Sequence, residues 1–409
     1  MKKTSLIFVM CLLPFLGYAQ FDDDEKGIVA IGFDYDIEGV EPVDAEMMTF
    51  RLYDYEHYLK QSMVWKKQTE AKPHDASAWL NYFRYSRYTC FFDYEIDRDS
   101  LLTSIVDDMG KVIPDTYVYN TCKYFIRNTE DGLNEYAEKA LKQLPAKMTF
   151  FDYDTWYCYL RTKKDKSEYE PFGKEYLASG LYSQELIKHN MNELDGLAKN
   201  AIYVGNGDAT VIPKWLIADA MGKHRDKLVL CYPYLQDPEY CKRIFNALGI
   251  GEVPQHEGEF EYYEDYQNYI KSIIMTIAER TGRELYFSKN NGEDINDLWF
   301  GDLYDEGLVF HYSPKEIDAM KMKKHNYEKV YDLSYLLQPM GDNAWNTDKR
   351  MCVQMIPSFG DLLSYYKAND KKRYSELYSM LSHALERSKD IIDESDLDYF
   401  NDILNGEFE

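Results

Sequence analysis

The residues best placed for chemistry sit in one turn. Gly205-Asn206-Gly207-Asp208 follows a short apolar run, Ala201-Ile202-Tyr203-Val204, and leads into a helical stretch that includes Thr210. Backbone N–H groups at the start of a helix point outward and can cradle an anion. The two glycines match neither G-x-G-x-x-G nor a phosphate loop ending in Gly-Lys-Ser/Thr. The structural alternative is that the Asp208 carboxylate caps the helix. That cap would satisfy the free N–H groups and repel a second anion. Gly205, Asn206, Gly207, Asp208 and Thr210 are the candidate ligand-binding set, with capping as the competing reading.

Other reactive residue types do not converge in the sequence. The histidines at 57, 74, 189, 224, 256, 311, 325 and 383 form neither H-E-x-x-H nor a two-histidine-carboxylate spacing. No G-x-S-x-G nucleophile elbow occurs. With 71 Asp and Glu, every carboxylate pair for glycoside hydrolysis is unspecific. No catalytic residue, metal ligand or cofactor is assigned. Tyrosine is in excess, 38 residues, in clusters that mix rings with polar groups: Tyr82-Phe83-Arg84-Tyr85-Ser86-Arg87-Tyr88, Tyr117-Val118-Tyr119 and Tyr153-Asp154-Thr155-Trp156-Tyr157. Tyr joins apolar area to a hydrogen-bonding hydroxyl, which suits peptide or sugar surfaces. Packing knobs between helices are the plainer use of the same rings.

Composition narrows the partners. The chain of 409 residues carries 47 Lys and Arg against its acids, a net charge of −24, which opposes nucleic-acid backbones and anionic membranes. Lys2 and Lys3 precede the apolar run Leu6–Leu16, and Gly17 and Ala19 fit the small positions before a cleavage site at Gln20. This reads as a bacterial export signal. No later stretch is long and apolar enough to re-anchor the chain, so a periplasmic or secreted protein is expected. Six cysteines would remain, at 90, 122, 158, 231, 241 and 352, mostly among apolar neighbours. Export permits disulfides, yet so few cysteines in this length suit buried thiols better than a disulfide scaffold.

The elements that must position these residues change character along the chain. Residues 20–40 read as an extended leader. Helices are expected over 43–67, 76–92 with Asp75 as N-cap, 114–126 and from Thr129-Glu130-Asp131 to Pro145. In the last of these Leu133, Tyr136, Ala137, Ala140, Leu141 and Leu144 form one apolar stripe. Further helices are expected over 152–163, 167–179 and 183–198. Strands at 201–204 and 227–232 flank a helix from Asp208 to Met221, a βαβ unit that implies parallel pairing. Candidate strands at 284–287 and 307–311, a helix over 259–281 and another over 371–388 complete the pattern. The expected fold is mainly α: a helical region (41–198), a small α/β region (199–318) and a C-terminal helical region (319–409).

Two resemblances follow from these residues. Pro73-His74-Asp75-Ala76-Ser77-Ala78-Trp79-Leu80-Asn81-Tyr82 and Tyr136-Ala137-Glu138-Lys139-Ala140-Leu141, closed by Pro145, resemble the helices of tetratricopeptide hairpins. The intervals, Pro73 to Pro114 and Pro114 to Pro145, are irregular at 41 and 31 residues against about 34 in regular arrays. Asn206-Gly207-Asp208 with Pro213, Trp215 and Arg225-Asp226, then Leu285-Tyr286-Phe287-Ser288, Leu303, Gly307-Leu308-Val309-Phe310 and Pro314, is similar to the soluble extracytoplasmic part of protein-O-mannosyltransferase-like bacterial membrane proteins. That family has a second Asp and a Thr where this chain has Thr210 and Val211. The multi-pass membrane part in which the resemblance would place glycosyl transfer has no counterpart in the sequence. The expectation is therefore a non-enzymatic adaptor that binds a protein or peptide. The alternative is an enzyme or glycan-binding protein acting on envelope polysaccharide or glycoprotein through the α/β region.

Overall fold

A computed structural model describes residues 36–49, 53–93, 96–126, 133–256, 260, 262–341 and 346–406. The export signal, most of the leader and the Thr129–Asp131 cap lie outside the described residues. The described residues divide into two compact units, 36–159 and 160–406. The division falls within the helical stretch that the sequence pattern extends to 198.

The first unit is helical. A 3-10 turn (Ala45–Thr49) precedes α1 (Tyr55–Ala71), α2 (Ala76–Phe92), α3 (Arg98–Val112), α4 (Tyr117–Phe125), α5 (Leu133–Leu141) and the start of α6 (Phe150–Lys163). Side chains start each of the first four. Asp54 accepts from the His57 N–H, Asp75 from Ser77 and Ala78, Asp97 from Ser100, and Thr116 from Tyr119. The helix expected from 114 begins at Tyr117 because Asp115 has φ 57°, a left-handed turn that cannot continue a helix. The helix expected from 43 begins at Tyr55. α1 and α2 approach through small residues, with Ser62 Oγ 2.8 Å from Ser86 Oγ, while Tyr58 and Tyr88 stack at 5.3 Å. Trp79, Phe83, Leu102, Val106, Met109 and Cys122 close the core among α2, α3 and α4. In α5, Ala137 and Ala140 are buried, and Tyr136 meets Tyr119 of α4 edge to face at 6.2 Å.

The second unit contains α7 (Lys166–Ala178), α8 (Gln184–Asp195), β1 (Ile202–Gly205), α9 (Asp208–Asp219), β2 (Leu228–Cys231), α10 (Pro238–Leu248), α11 (Tyr263–Thr281), β3 (Leu285–Ser288), α12 (Glu293–Asn296), β4 (Leu303–Asp305) and β5 (Val309–Tyr312). Its C-terminal part adds α13 (Ala319–His325), α14 (Asn346–Val353), α15 (Met355–Asn369), α16 (Lys371–Ser388) and α17 (Glu394–Asn405). The sheet order is β2-β1-β3-β5-β4. β1 pairs in parallel with β2, as the βαβ pattern requires, and also with β3, whereas β5 runs antiparallel to β3 and β4. Burial on both faces explains the unbroken apolar text of β1 and β3. The stripe Ile270, Ile273, Ile274 and Ile277 of α11 is buried, each side chain contributing about 1.5–3 kcal/mol relative to exposure. A separate core of Phe359, Leu362, Leu377, Leu381, Leu385 and Ile403 gathers α15, α16 and α17. The protein is mainly α with a small α/β part. Among the described residues no helix is long and apolar enough to cross a membrane.

Candidate functional site

The glycine turn lies where its spacing predicts, between the end of β1 and the start of α9. Gly207, with φ 110°, holds the N-cap position and Asp208 is the first helical residue. The cap position expected at Asp208 is thus held by Gly207 instead. The side chain of Asp208 lies outside what is described. Gly205 is a packing glycine, since a Cβ there would sit 2.8 Å from Val211 Cγ2 and 3.1 Å from Thr210 Oγ1. Thr210 is buried and its hydroxyl donates to the Gly207 carbonyl at 3.2 Å. Asn206 Nδ2 donates to the Asn291 carbonyl at 3.2 Å, and Asn291 Nδ2 to the Val204 carbonyl at 3.0 Å. These bonds tie the loop after β1 to the loop after β3. The order 2-1-3 makes the carboxyl ends of β1 and β3 a topological switch point, where the connections leave in opposite directions.

Behind the turn is a polar network that no sequence spacing announces. Lys214 of α9 is fully buried, and its Nζ donates to Glu193 Oε2, to Asn190 Oδ1 at 2.5 Å and to the Thr210 carbonyl at 2.8 Å. The Tyr203 ring lies 4.2 Å from the ammonium, and its hydroxyl donates to Glu193 Oε1 at 3.4 Å. Burial lowers the Lys214 pKa, opposed by the Glu193 charge. His189, 3.0 Å from the Tyr335 hydroxyl, is also driven toward its neutral form by burial. With Lys214 and Glu193 sealed from solvent, this network fixes α8, β1 and α9 together and offers a ligand no way in.

Farther along the carboxyl edge, Lys289 Nζ donates to Asp305 Oδ2 at 2.7 Å. Lys323 Nζ lies 3.0 Å from that same oxygen and binds both oxygens of Asp361, at 2.8 and 2.7 Å.

The helical unit holds a different kind of site. Leu80, Phe83, Cys122, Phe125 and Phe151 line a half-enclosed cleft, joined by Arg84 and Arg87 from α2. The Arg84 guanidinium lies 4.3 Å from the centre of the Phe151 ring, and that of Arg87 lies 5.1 Å from Phe125. Asp152 stands 3.9 Å from Arg84, but it accepts from the Tyr117 hydroxyl at 2.6 Å and from the N–H and hydroxyl of Thr149, each at 2.8 Å. Arg84 therefore has a distant counter-ion and no hydrogen bond within the described residues, though its side chain is only 11% exposed. A guanidinium so placed has unused donors beside apolar walls. The free space, about 20 Å³, matches one small polar group. Both arginines belong to the Tyr82–Tyr88 cluster that the sequence marks as aromatic and polar. The rings themselves are largely core: Tyr82, Tyr85 and Tyr88 are buried.

The six cysteines among the described residues are all buried. Burial pushes the thiols of Cys90, Cys122, Cys241 and Cys352 up to about 12. Among the described residues no group of three or more His, Cys, Asp or Glu is arranged to hold a metal. Compared with known proteins, the chain matches no family model, no curated protein and no solved structure.

Proposed function

We propose that the chain is an exported, non-enzymatic interaction protein of the bacterial cell envelope, whose helical hairpins of tetratricopeptide type bind a protein or peptide partner. The observation that supports this most is the Arg84 guanidinium, nearly buried, lining a cleft and short of acceptors. A carboxylate of the partner supplies what Arg84 lacks, two acceptor oxygens matched to a planar fork of donors. The chain's net charge of −24 disfavours polyacidic partners at long range. That field is screened over about 8 Å at physiological ionic strength, so one carboxylate in contact with Arg84 still binds favourably. The partner that satisfies both conditions is a neutral or basic segment carrying a single acidic side chain.

Affinity capture from an envelope extract, run in parallel with the mature chain and its Arg84→Gln variant, tests this. A polypeptide retained by the first and lost by the second is the expected result. Equal retention by both would overturn the assignment of the site.

A second reading, an enzyme or glycan-binding protein working through the α/β unit, draws on the switch point between β1 and β3. Gly205, Asn206, Gly207, Asp208 and Thr210 are its ligand set. Retention of a polysaccharide, insensitive to Arg84→Gln, is the result that favours it.

A further inference from the structure

The carboxyl edge of the sheet holds two ammonium groups on one carboxylate oxygen. Asp305 Oδ2 is 2.7 Å from Lys289 Nζ and 3.0 Å from Lys323 Nζ, which keeps the two cations within a few ångströms of each other. They are not equivalent. Lys323 is sealed, with its side chain 2% exposed, and directly binds a second carboxylate, Asp361. Lys289, on the loop directly after β3, hydrogen-bonds among the described residues only to the Asp305 oxygen it shares, and remains 17% exposed. From this geometry we propose that Lys289 is a nucleophilic amine that condenses with small aldehydes at the carboxyl edge of β3.

A lysine attacks a carbonyl only as the free amine, and at neutral pH an ordinary lysine is almost wholly protonated. Desolvation or a neighbouring cation removes that obstacle, and both act here. Burial lowers the Lys289 pKa and Lys323 lowers it further, while Asp305 and, more weakly, Asp361 oppose them. The Phe310 ring, 5.2 Å from Nζ, also favours the charged form. The net direction is downward. The Lys289 ammonium gives its proton to solvent; the nitrogen lone pair then bonds to the carbonyl carbon as the C=O π pair moves onto the oxygen, which takes up the proton that the nitrogen sheds. The resulting carbinolamine then loses water to give an imine. This inference is independent of the peptide-binding reading, since it concerns other residues in the other unit.

The test is site-resolved labelling of the mature chain with glycolaldehyde and cyanoborohydride. The borohydride donates hydride to the imine carbon and leaves a stable secondary amine for mass spectrometry. At neutral pH Lys289 is expected to be labelled severalfold faster than Lys372, although the Lys372 side chain is 87% exposed. Its rate should also level off at lower pH than the ordinary lysine range. Lys323→Gln removes the neighbouring cation, so the Lys289 profile should move to higher pH and its neutral-pH labelling should fall; Lys323→Arg should restore both. Labelling of Lys289 no faster than Lys372 would overturn the proposal, as would a profile that Lys323→Gln leaves in place. If Lys323→Gln does not fold, the comparison with Lys372 in the unaltered chain decides.

Discussion

Gly205 leaves no room for a methyl group. A Cβ would come within 2.8 Å of Val211 Cγ2 and 3.0 Å of the Tyr203 ring, so Gly205→Ala should overpack the start of α9 and cost about 1–3 kcal/mol. Chemical denaturation checks this, and an unchanged midpoint would show that the turn relaxes freely. The Lys214–Glu193 pair makes a larger claim. Glu193→Leu strands a buried ammonium with Asn190 and a carbonyl as its remaining partners, and should cost about 3–5 kcal/mol. Replacing both charges, as Lys214→Met with Glu193→Leu, should cost less than the single change, because no uncompensated charge remains. The cysteines supply a pH dependence. Their thiols are held near 12 against an ordinary value of 9.0, so the unfolded chain releases these protons first. Their contribution to stability is intact below about pH 9 and declines as pH rises toward 12. Cys90, Cys122, Cys241 and Cys352 should resist a disulfide reagent in the native protein near neutral pH and react once urea unfolds it.

Helices with a strong cap and stripe were legible in the sequence, and shorter or less regular elements were not. Asp75 opens α2 as its position predicts, and α16 spans 371–388 as its stripe predicts. α3 carried a readable signal in Asp97 and the buried set Leu102, Ile105, Val106 and Met109, and α10 in Asp237-Pro238, yet neither stood out in the pattern along the chain. β4 has three half-buried residues, too few for any alternation, so its antiparallel pairing with β5 gave no warning. The candidate turn was legible because its glycines and strand are contiguous. The Lys214, Glu193 and Asn190 network and the Lys289–Asp305–Lys323 cluster were not, because their members converge from separate elements. Hairpin packing in α5 has its own test. Ala140 is fully buried, whereas the Lys139 side chain is 40% exposed and paired with Glu135 at 2.8 Å. Ala140→Leu should therefore cost about 1–3 kcal/mol, and Lys139→Leu should stay within about 0.5 kcal/mol. Equal effects would mean that the stripe is not packed.

At the scale of the whole molecule, charge and address act together. On the proposed export route, cleavage after residue 19 would take away Lys2 and Lys3 and move the net charge from −24 to −26. N-terminal sequencing of the protein recovered from the envelope should therefore begin at Gln20, and a mature form that retains Met1 would contradict export with cleavage. So acidic a surface rejects polyanions at a distance and leaves recognition to local exceptions, of which the Arg84 cleft is the clearest in the helical unit. The most direct measurement is calorimetric titration of the mature chain with paired neutral or basic peptides, taken from an array screen, that differ only by Glu or Gln at one position. The Glu peptide should bind about tenfold or more tightly, a difference of about 1.4 kcal/mol or more, and Arg84→Gln should abolish this preference without lowering the melting temperature. Equal affinity for the Glu and Gln peptides, or a preference that survives Arg84→Gln, would contradict the proposed role of Arg84.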